Sequence, residues 1–193
     1  MVRLLQLTSF LLCTCQVISQ DVRLLGAFEQ KGPIHFLDDQ IIGAGLGFRF
    51  GLSEEVYYLN VRGSFLSGEV SRTHHSTRHA VLDRSGTIGL FRSFVLLNKL
   101  YMDVGAELGY SDRQMTEHYL SSFATYNVRA FALGPAISLR YRALDVIEPF
   151  LTFSGTYFVP VKGQGAPFRE AFDPLQNSFE PSLHVGVYFS LSN

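Results

Sequence analysis

Three groups of side chains have the types and spacing to do chemistry. Glu180, Ser182 and His184 recur at every second position near the C-terminal end. An acid, a hydroxyl and an imidazole are the parts of a nucleophilic acyl-transfer site, where the imidazole takes the hydroxyl proton and the acid orients the imidazole. On a strand, however, two-residue spacing strings all three along one face, and no oxyanion-hole motif accompanies them. That favours hydrogen bonding as the role of His184. His74, His75 and His79 form a second group, interleaved with Arg72, Arg78 and Arg84. Imidazoles bind metals, but no Asp, Glu or Cys completes a set at ligand spacing, so neither a metal nor a cofactor is expected. The arginines remain available to phosphate oxygens. The third group is a dispersed set of both signs: Arg49, Arg62, Asp103, Glu107, Arg140 and Glu148. Gly43, Gly45 and Gly47 do not make a nucleotide loop, because no helix pattern follows them.

The elements that must position these residues are strands. Residues 40–51 place Ile42, Ala44, Leu46, Phe48 and Phe50 on one face, with Gly43, Gly45, Gly47 and Arg49 on the other. Residues 100–111 repeat the pattern, with Leu100, Met102, Val104, Ala106, Leu108 and Tyr110 opposite Asp103, Glu107 and small residues. Residues 178–191 do so again, with Phe179 through Leu191 at odd positions against Glu180, Ser182, His184, Gly186, Tyr188 and Ser190. Weaker strands are predicted at 21–30, 55–68, 85–97, 125–142 and 146–159. In 85–97, Ile88, Leu90, Arg92 and Phe94 share a face while Phe91 and Val95 share the other, a conflict that a β-bulge would resolve.

The connections alternate in length. Gly51 to Glu54, Asn98-Lys99 and Ala143 to Asp145 are short, whereas 31–39, 69–84, 112–124 and 160–177 read as longer loops. Such alternation fits an up-and-down barrel with two unlike ends, and strands of this length fit a tilted membrane crossing. The expected fold is therefore all-β: an eight-stranded antiparallel up-and-down transmembrane barrel with both termini on the short-turn side. The polar face carries Asn60, Arg62, Asp103, Glu107, Arg140, Arg142, Glu148, Glu180 and His184, too many charges for a dry ligand cavity. The apolar face is thus expected to meet lipid, and aromatic residues near the strand ends fit interfacial girdles.

Composition narrows the function classes. The 193 residues hold 16 Lys and Arg against 17 Asp and Glu, which argues against a nucleic-acid partner. Beyond the first twenty residues no apolar run is long enough for a spanning helix. Those first residues read as a cleavable export signal over 1–19. Arg3 is the charge, Leu4 to Leu12 the apolar core, and Val17 and Ser19 the small residues before cleavage at Gln20. The barrel domain then covers 20–193. Cys13 and Cys15 both fall in the signal, so the mature chain has no thiol. Cys15 sits in a faint lipobox, but Thr14 is a poor residue just before a lipidated cysteine.

The pattern resembles the small Gram-negative outer-membrane barrels of the OmpA transmembrane-domain and OmpX type, over the whole mature chain but without residue-for-residue correspondence. The most specific piece is His184-Val185-Gly186-Val187-Tyr188-Phe189-Ser190-Leu191, similar to the C-terminal signal by which such barrels are recognised for assembly. Gly186, Phe189 and Leu191 fit it, although Leu191 replaces the usual aromatic and two residues follow. The resemblance implies residence in the bacterial outer membrane and partners in outer-membrane lipid, lipopolysaccharide and the barrel assembly machinery. A monomer is expected. The function it implies is non-enzymatic, in envelope integrity, adhesion or surface recognition. The rival readings are a lipid-modifying barrel enzyme, for which Ser182 and His184 are the candidates, and a soluble lipocalin-like carrier. The absence of Trp removes the lipocalin Gly-x-Trp motif. In so narrow a barrel the charged set should form a connected ion-pair layer that plugs the lumen, with Arg62 to Glu107 at its centre.

Overall fold

The computed structural model describes residues 21–31, 41–53, 56–72, 77–119, 122–164 and 178–191. The export signal over 1–19, both cysteines, His74 and His75 lie outside the described residues. Eight strands follow in order: β1 (Val22–Lys31), β2 (Ile41–Ser53), β3 (Tyr57–Arg72), β4 (Thr77–Leu97), β5 (Leu100–Tyr119), β6 (Ser122–Tyr141), β7 (Ile147–Gln164) and β8 (Ser178–Ser190). Each pairs antiparallel with the next, and β1 pairs with β8, closing the barrel. The closing register runs from Arg23↔Ser190 to Lys31↔Ser182, so both ends of the chain's strands meet at the short-turn end.

Closure removes every free sheet edge, and strict alternation then sorts the side chains. Leu46, Phe65, Leu108, Leu133 and Phe153 point outward and are more than half exposed, while Arg49, Arg62, Glu107, Arg140 and Glu148 point inward and are buried. Outward apolar residues around an inward polar set are the reverse of a soluble barrel and match a lipid-facing one. No helix among the described residues is long and apolar enough to cross a membrane.

The conflict in 85–97 resolves as a register shift between Val95 and Leu97, next to the Asn98-Lys99 turn. Up to that point β4 keeps one phase, with Phe91 buried inside and Arg92 outside beside Phe94. Phe50 departs from its expected exposure. It keeps company with Phe48, ring centroids 6.2 Å apart, but is itself buried.

Two of the expected long loops are not loops. Most of 69–84 belongs to β3 and β4, which pair continuously as far as Arg72↔Thr77. Likewise 112–124 is almost wholly strand, paired from Asp112↔Arg129 to Tyr119↔Ser122. At this outer end the inward face carries an apolar cluster of buried residues, Ile41, Leu66, Val81, Met115, Tyr126 and Val128, with Glu117 buried beyond Met115 on the same face. The tall wall of β3 to β6 thus has side chains of its own packed inside it.

Candidate functional site

The lumen is organised in layers, each built where inward positions of several strands reach the same height. At the turn end, Arg140 from β6 is the hub. Its Nε donates to Asp103 Oδ2 at 2.8 Å and its Nη1 to Glu148 Oε2 at 2.7 Å. Arg49 Nη1 donates to the same Asp103 oxygen at 3.1 Å, and its guanidinium lies 3.4 Å over the Tyr58 ring. Glu148 also accepts from Arg142 Nε at 2.7 Å and pairs with Arg23. Arg49, Asp103, Arg140 and Glu148 are thus joined in one network. A buried charge is tolerable only when paired and hydrogen-bonded in this manner.

The middle layer centres on Arg62 of β3. It stands 3.4 Å from Glu107 Oε2, the partner expected from the sequence, and 3.0 Å from Glu29 Oε1. Glu29 also accepts from Ser64 Oγ at 2.7 Å and faces His184 Nδ1 at 3.5 Å. Gly45 makes room for this crowding, since a Cβ there would sit 2.2 Å from Glu29 Oε1. Tyr58 packs lower, against Arg49.

The outer layer was not foreseen. Arg113 of β5 holds Glu180 through both nitrogens, at 2.6 and 2.8 Å, and reaches Asp83 at 2.9 Å. Asp83 also pairs with Lys31 at 3.3 Å and accepts from Ser111 Oγ at 2.7 Å. The signal for Lys31, Asp83 and Arg113 was weak because all three fall in segments that read as loops. Glu29 and Arg23 lie in a predicted strand, but Leu25 and Ala27 share their inward face and blur its polarity.

The acyl-transfer trio does not assemble as spaced. Glu180 is engaged by Arg113, and His184 turns instead towards Glu29. Ser182 Oγ and Ser154 Oγ lie 3.0 and 3.3 Å from His184 Nε2, and 2.5 Å from each other. Ser182, His184 and Glu29 therefore mimic a hydroxyl–imidazole–acid relay. Yet the group is buried inside the barrel, and the backbone N–H groups around it are committed to the ladder. Acyl transfer needs a free pair of donors for the oxyanion and room for a carbonyl. The adjoining cavity, lined by Arg62, Glu107, Ser154, Ser182 and His184 among others, has about 20 Å³, room for a water and not for a lipid ester. No group of His, Cys, Asp and Glu suited to a metal occurs among the described residues.

A closed ring of eight up-and-down strands is shared with solved structures. Neisserial surface protein A is similar with a TM-score of 0.58, at 10% identity over 89% of this chain and 96% of that one. The fold is a bacterial outer-membrane β-barrel. A major outer membrane protein from Thermus thermophilus shares it with a TM-score of 0.61, at 8% identity over 88% of this chain and 99% of that one. So does the N-terminal β-barrel domain of Pseudomonas aeruginosa OprF, with a TM-score of 0.50 at 14% identity over 90% and 99%. No family model matches the chain, and no curated protein matches it by sequence.

Within the outer-membrane barrel fold, the C-terminal residues resembling an assembly signal occupy β8, the strand that closes the ring. Gly186 allows a tight approach, since a Cβ there would come within 2.2 Å of the Gly26 carbonyl oxygen. Phe189 and Leu191 face outward, and the Leu191 N–H donates to the Val22 carbonyl at 2.9 Å.

Proposed function

We propose that this protein is a monomeric, non-enzymatic integral protein of the bacterial outer membrane whose lumen is closed by its own side chains. Its work is done at the outer end, in envelope integrity, adhesion or surface recognition. The observation that carries this reading is the filling of the lumen. Ion-paired layers around Arg140, Arg62 and Arg113 succeed one another along the barrel, and the apolar cluster around Leu66 follows them. A solute path would have to break buried pairs in every layer, and removing one partner of such a pair costs about 3–5 kcal/mol. The outward apolar belt supports lipid as its surroundings, and it opposes a soluble carrier, which would need that face inside. Gly186, Phe189 and Leu191 support delivery by the barrel assembly machinery after removal of residues 1–19.

Planar-bilayer recording on the refolded protein tests the reading. The expected record is free of large, steady steps. Porin-like conductance from the monomer would overturn it, and multiple-turnover hydrolysis of purified lipids would overturn the non-enzymatic part.

A further inference from the structure

The charges that face the lumen do not balance layer by layer. In the middle and outer layers Lys31, Arg62 and Arg113 meet Glu29, Asp83, Glu107 and Glu180, three positive groups against four negative, with His184 uncharged. The turn-end layer has the opposite surplus, with Arg23, Arg49, Arg140 and Arg142 set among Asp21, Asp103 and Glu148. There Arg49 rests on aromatic faces, its guanidinium 3.4 Å from the Tyr58 ring centroid and 5.0 Å from that of Tyr188. A surplus cation is thus partly compensated by the two rings. A surplus carboxylate gains nothing from a ring face, which is itself negative.

The surplus falls on Glu107. Glu29 takes the closer contact with Arg62, and Ser64 donates to it as well. Asp83 and Glu180 share Arg113, and Lys31 adds to Asp83. Glu107 Oε2 lies 3.4 Å from Arg62 Nη2, and Oε1 has no hydrogen-bond partner among the described residues. Yet the Glu107 side chain is more than nine-tenths buried. It borders the lumen cavity of about 20 Å³, together with the hydroxyl-bearing Thr87, Ser154, Thr156 and Ser182. Gly134, opposite Glu107 in the β5–β6 register, has no side chain to fill the space beside it. Lys31 and Arg62 border the same cavity, but each is already bound to a carboxylate, of Asp83 and of Glu29 respectively.

We infer that this cavity is a binding site for one small monovalent cation, held by the Glu107 carboxylate and the hydroxyl oxygens around it. Charge selects the valence. One positive charge cancels the surplus, whereas two would leave a buried excess of the other sign. The donors select the chemistry. Carboxylate and hydroxyl oxygens are hard ligands suited to an alkali cation, not the several imidazoles or thiolates of a zinc-type site. Size selects among monovalent ions, because a space that fits one water admits sodium or potassium and rejects a quaternary ammonium. The ion opens no path through the layers, so the closed-lumen reading does not depend on it. Because it binds the folded barrel and not the unfolded chain, it stabilises the fold by mass action.

The test is the folding equilibrium of the full chain in phosphatidylcholine vesicles, read by urea titration at about pH 8, where an imidazole of ordinary pKa is uncharged. Sodium, potassium and choline chloride are compared at ~150 mM, where general screening is the same for all three. At least one alkali salt should raise the folded-to-unfolded ratio about tenfold over choline, as for a site whose dissociation constant is about a tenth of the salt concentration. Sodium gluconate should match sodium chloride. Glu107→Gln removes the surplus charge and should abolish the difference between the salts. If that variant does not fold, Thr156→Val decides the matter. It keeps every charge, removes one oxygen and should cut the tenfold ratio to about threefold, as for one lost polar contact. A wild type equally stable in the three chloride salts overturns the site. So does a Glu107→Gln or Thr156→Val variant that keeps the full difference, or an effect that follows the anion.

Discussion

The Nε atom of Arg62 lies 3.0 Å from Oε1 of Glu29. This contact is closer than the 3.4 Å that separates Arg62 from Glu107. Glu29 is fully buried and also engages Ser64 and His184, whereas Glu107 reaches only Arg62 among the described side chains. The two acids therefore contribute unequally. Glu29→Gln should destabilise the refolded barrel by about 3 kcal/mol, as for removal of one partner of a buried pair. Glu107→Gln should cost about 1.5 kcal/mol, the lower end for a hydrogen bond to a charged group. Urea titrations in lipid vesicles read both values, and equal losses would remove Glu29 from the centre of the layer.

A second prediction concerns the β4–β5 turn. Lys99 has a φ of 70°, the left-handed region that a Cβ disfavours. Its carbonyl accepts the Arg142 N–H at 2.8 Å, which ties the turn to the end of β6. Lys99→Gly should keep that bond and relieve the backbone, raising stability by about 1 kcal/mol. The same titration checks it, and a loss of stability would mean that the lysine side chain contributes more than its backbone costs.

The membrane-facing half of this fold was legible because one rule governs it. Val104, Leu108, Ile137 and Val185 fall on the outward parity of their strands, and Asp103, Glu107, Ser138 and His184 on the inward parity. Past Arg84, Asp112 and Arg129 a different rule holds, in which both faces are mixed. The outward residues include Gln114, Thr116 and Thr125 but also Leu82 and Phe123, and the inward ones Val81, Met115, Tyr126 and Val128 but also Asp83, Arg113 and Glu117. The strands continue without a break, but polarity no longer follows parity. A reading that expects apolar residues outward and polar ones inward sees that mixture as the end of a strand, which is why 69–84 and 112–124 read as loops. The same error hid Asp83 and Arg113, and with them the outer ion-pair layer. The partner of His184 was hidden for another reason: it sits on β1, far off in sequence, and only closure of the ring brings Glu29 beside it.

The boundary between the two rules is itself testable with one residue type. Val104 is outward on β5 within the apolar belt, and Gln114 is outward and exposed on the same strand beyond Asp112. Val104→Arg should cost about 2–4 kcal/mol, as for a basic residue near the bilayer midplane. Gln114→Arg should cost less than about 1 kcal/mol, as near or beyond the interface. Folding titrations into vesicles measure the pair. Equal tolerance at both sites would refute the outward, lipid-facing assignment of Val104.

The last prediction asks whether the outer end is a packed core or a hydrated mouth. Leu66 is fully buried on the inward face of β3 and clusters with Ile41, Val81, Met115, Tyr126 and Val128. It lies opposite Asp83 in the β3–β4 register, so the cluster begins at the height where the outer ion-pair layer ends. The seven positions from Asp112 to Tyr119 would rise ~18 Å above the row of Asp112 at a tilt of about 40°. A wall of that height stands either on side chains packed within it or on its backbone ladder. If those chains are close-packed, Leu66→Ala removes buried methyl groups and leaves a void, costing about 2–5 kcal/mol. If water fills the mouth, the truncated side chain was already solvated and the cost stays below about 1 kcal/mol, as at ordinary surface positions. Denaturant titration gives the energy, and amide exchange at Val81 and Met115 locates it. A loss in the higher range with faster exchange at both amides is the expected result. A near-neutral Leu66→Ala with unchanged exchange would show that the wall is held together by its backbone ladder alone.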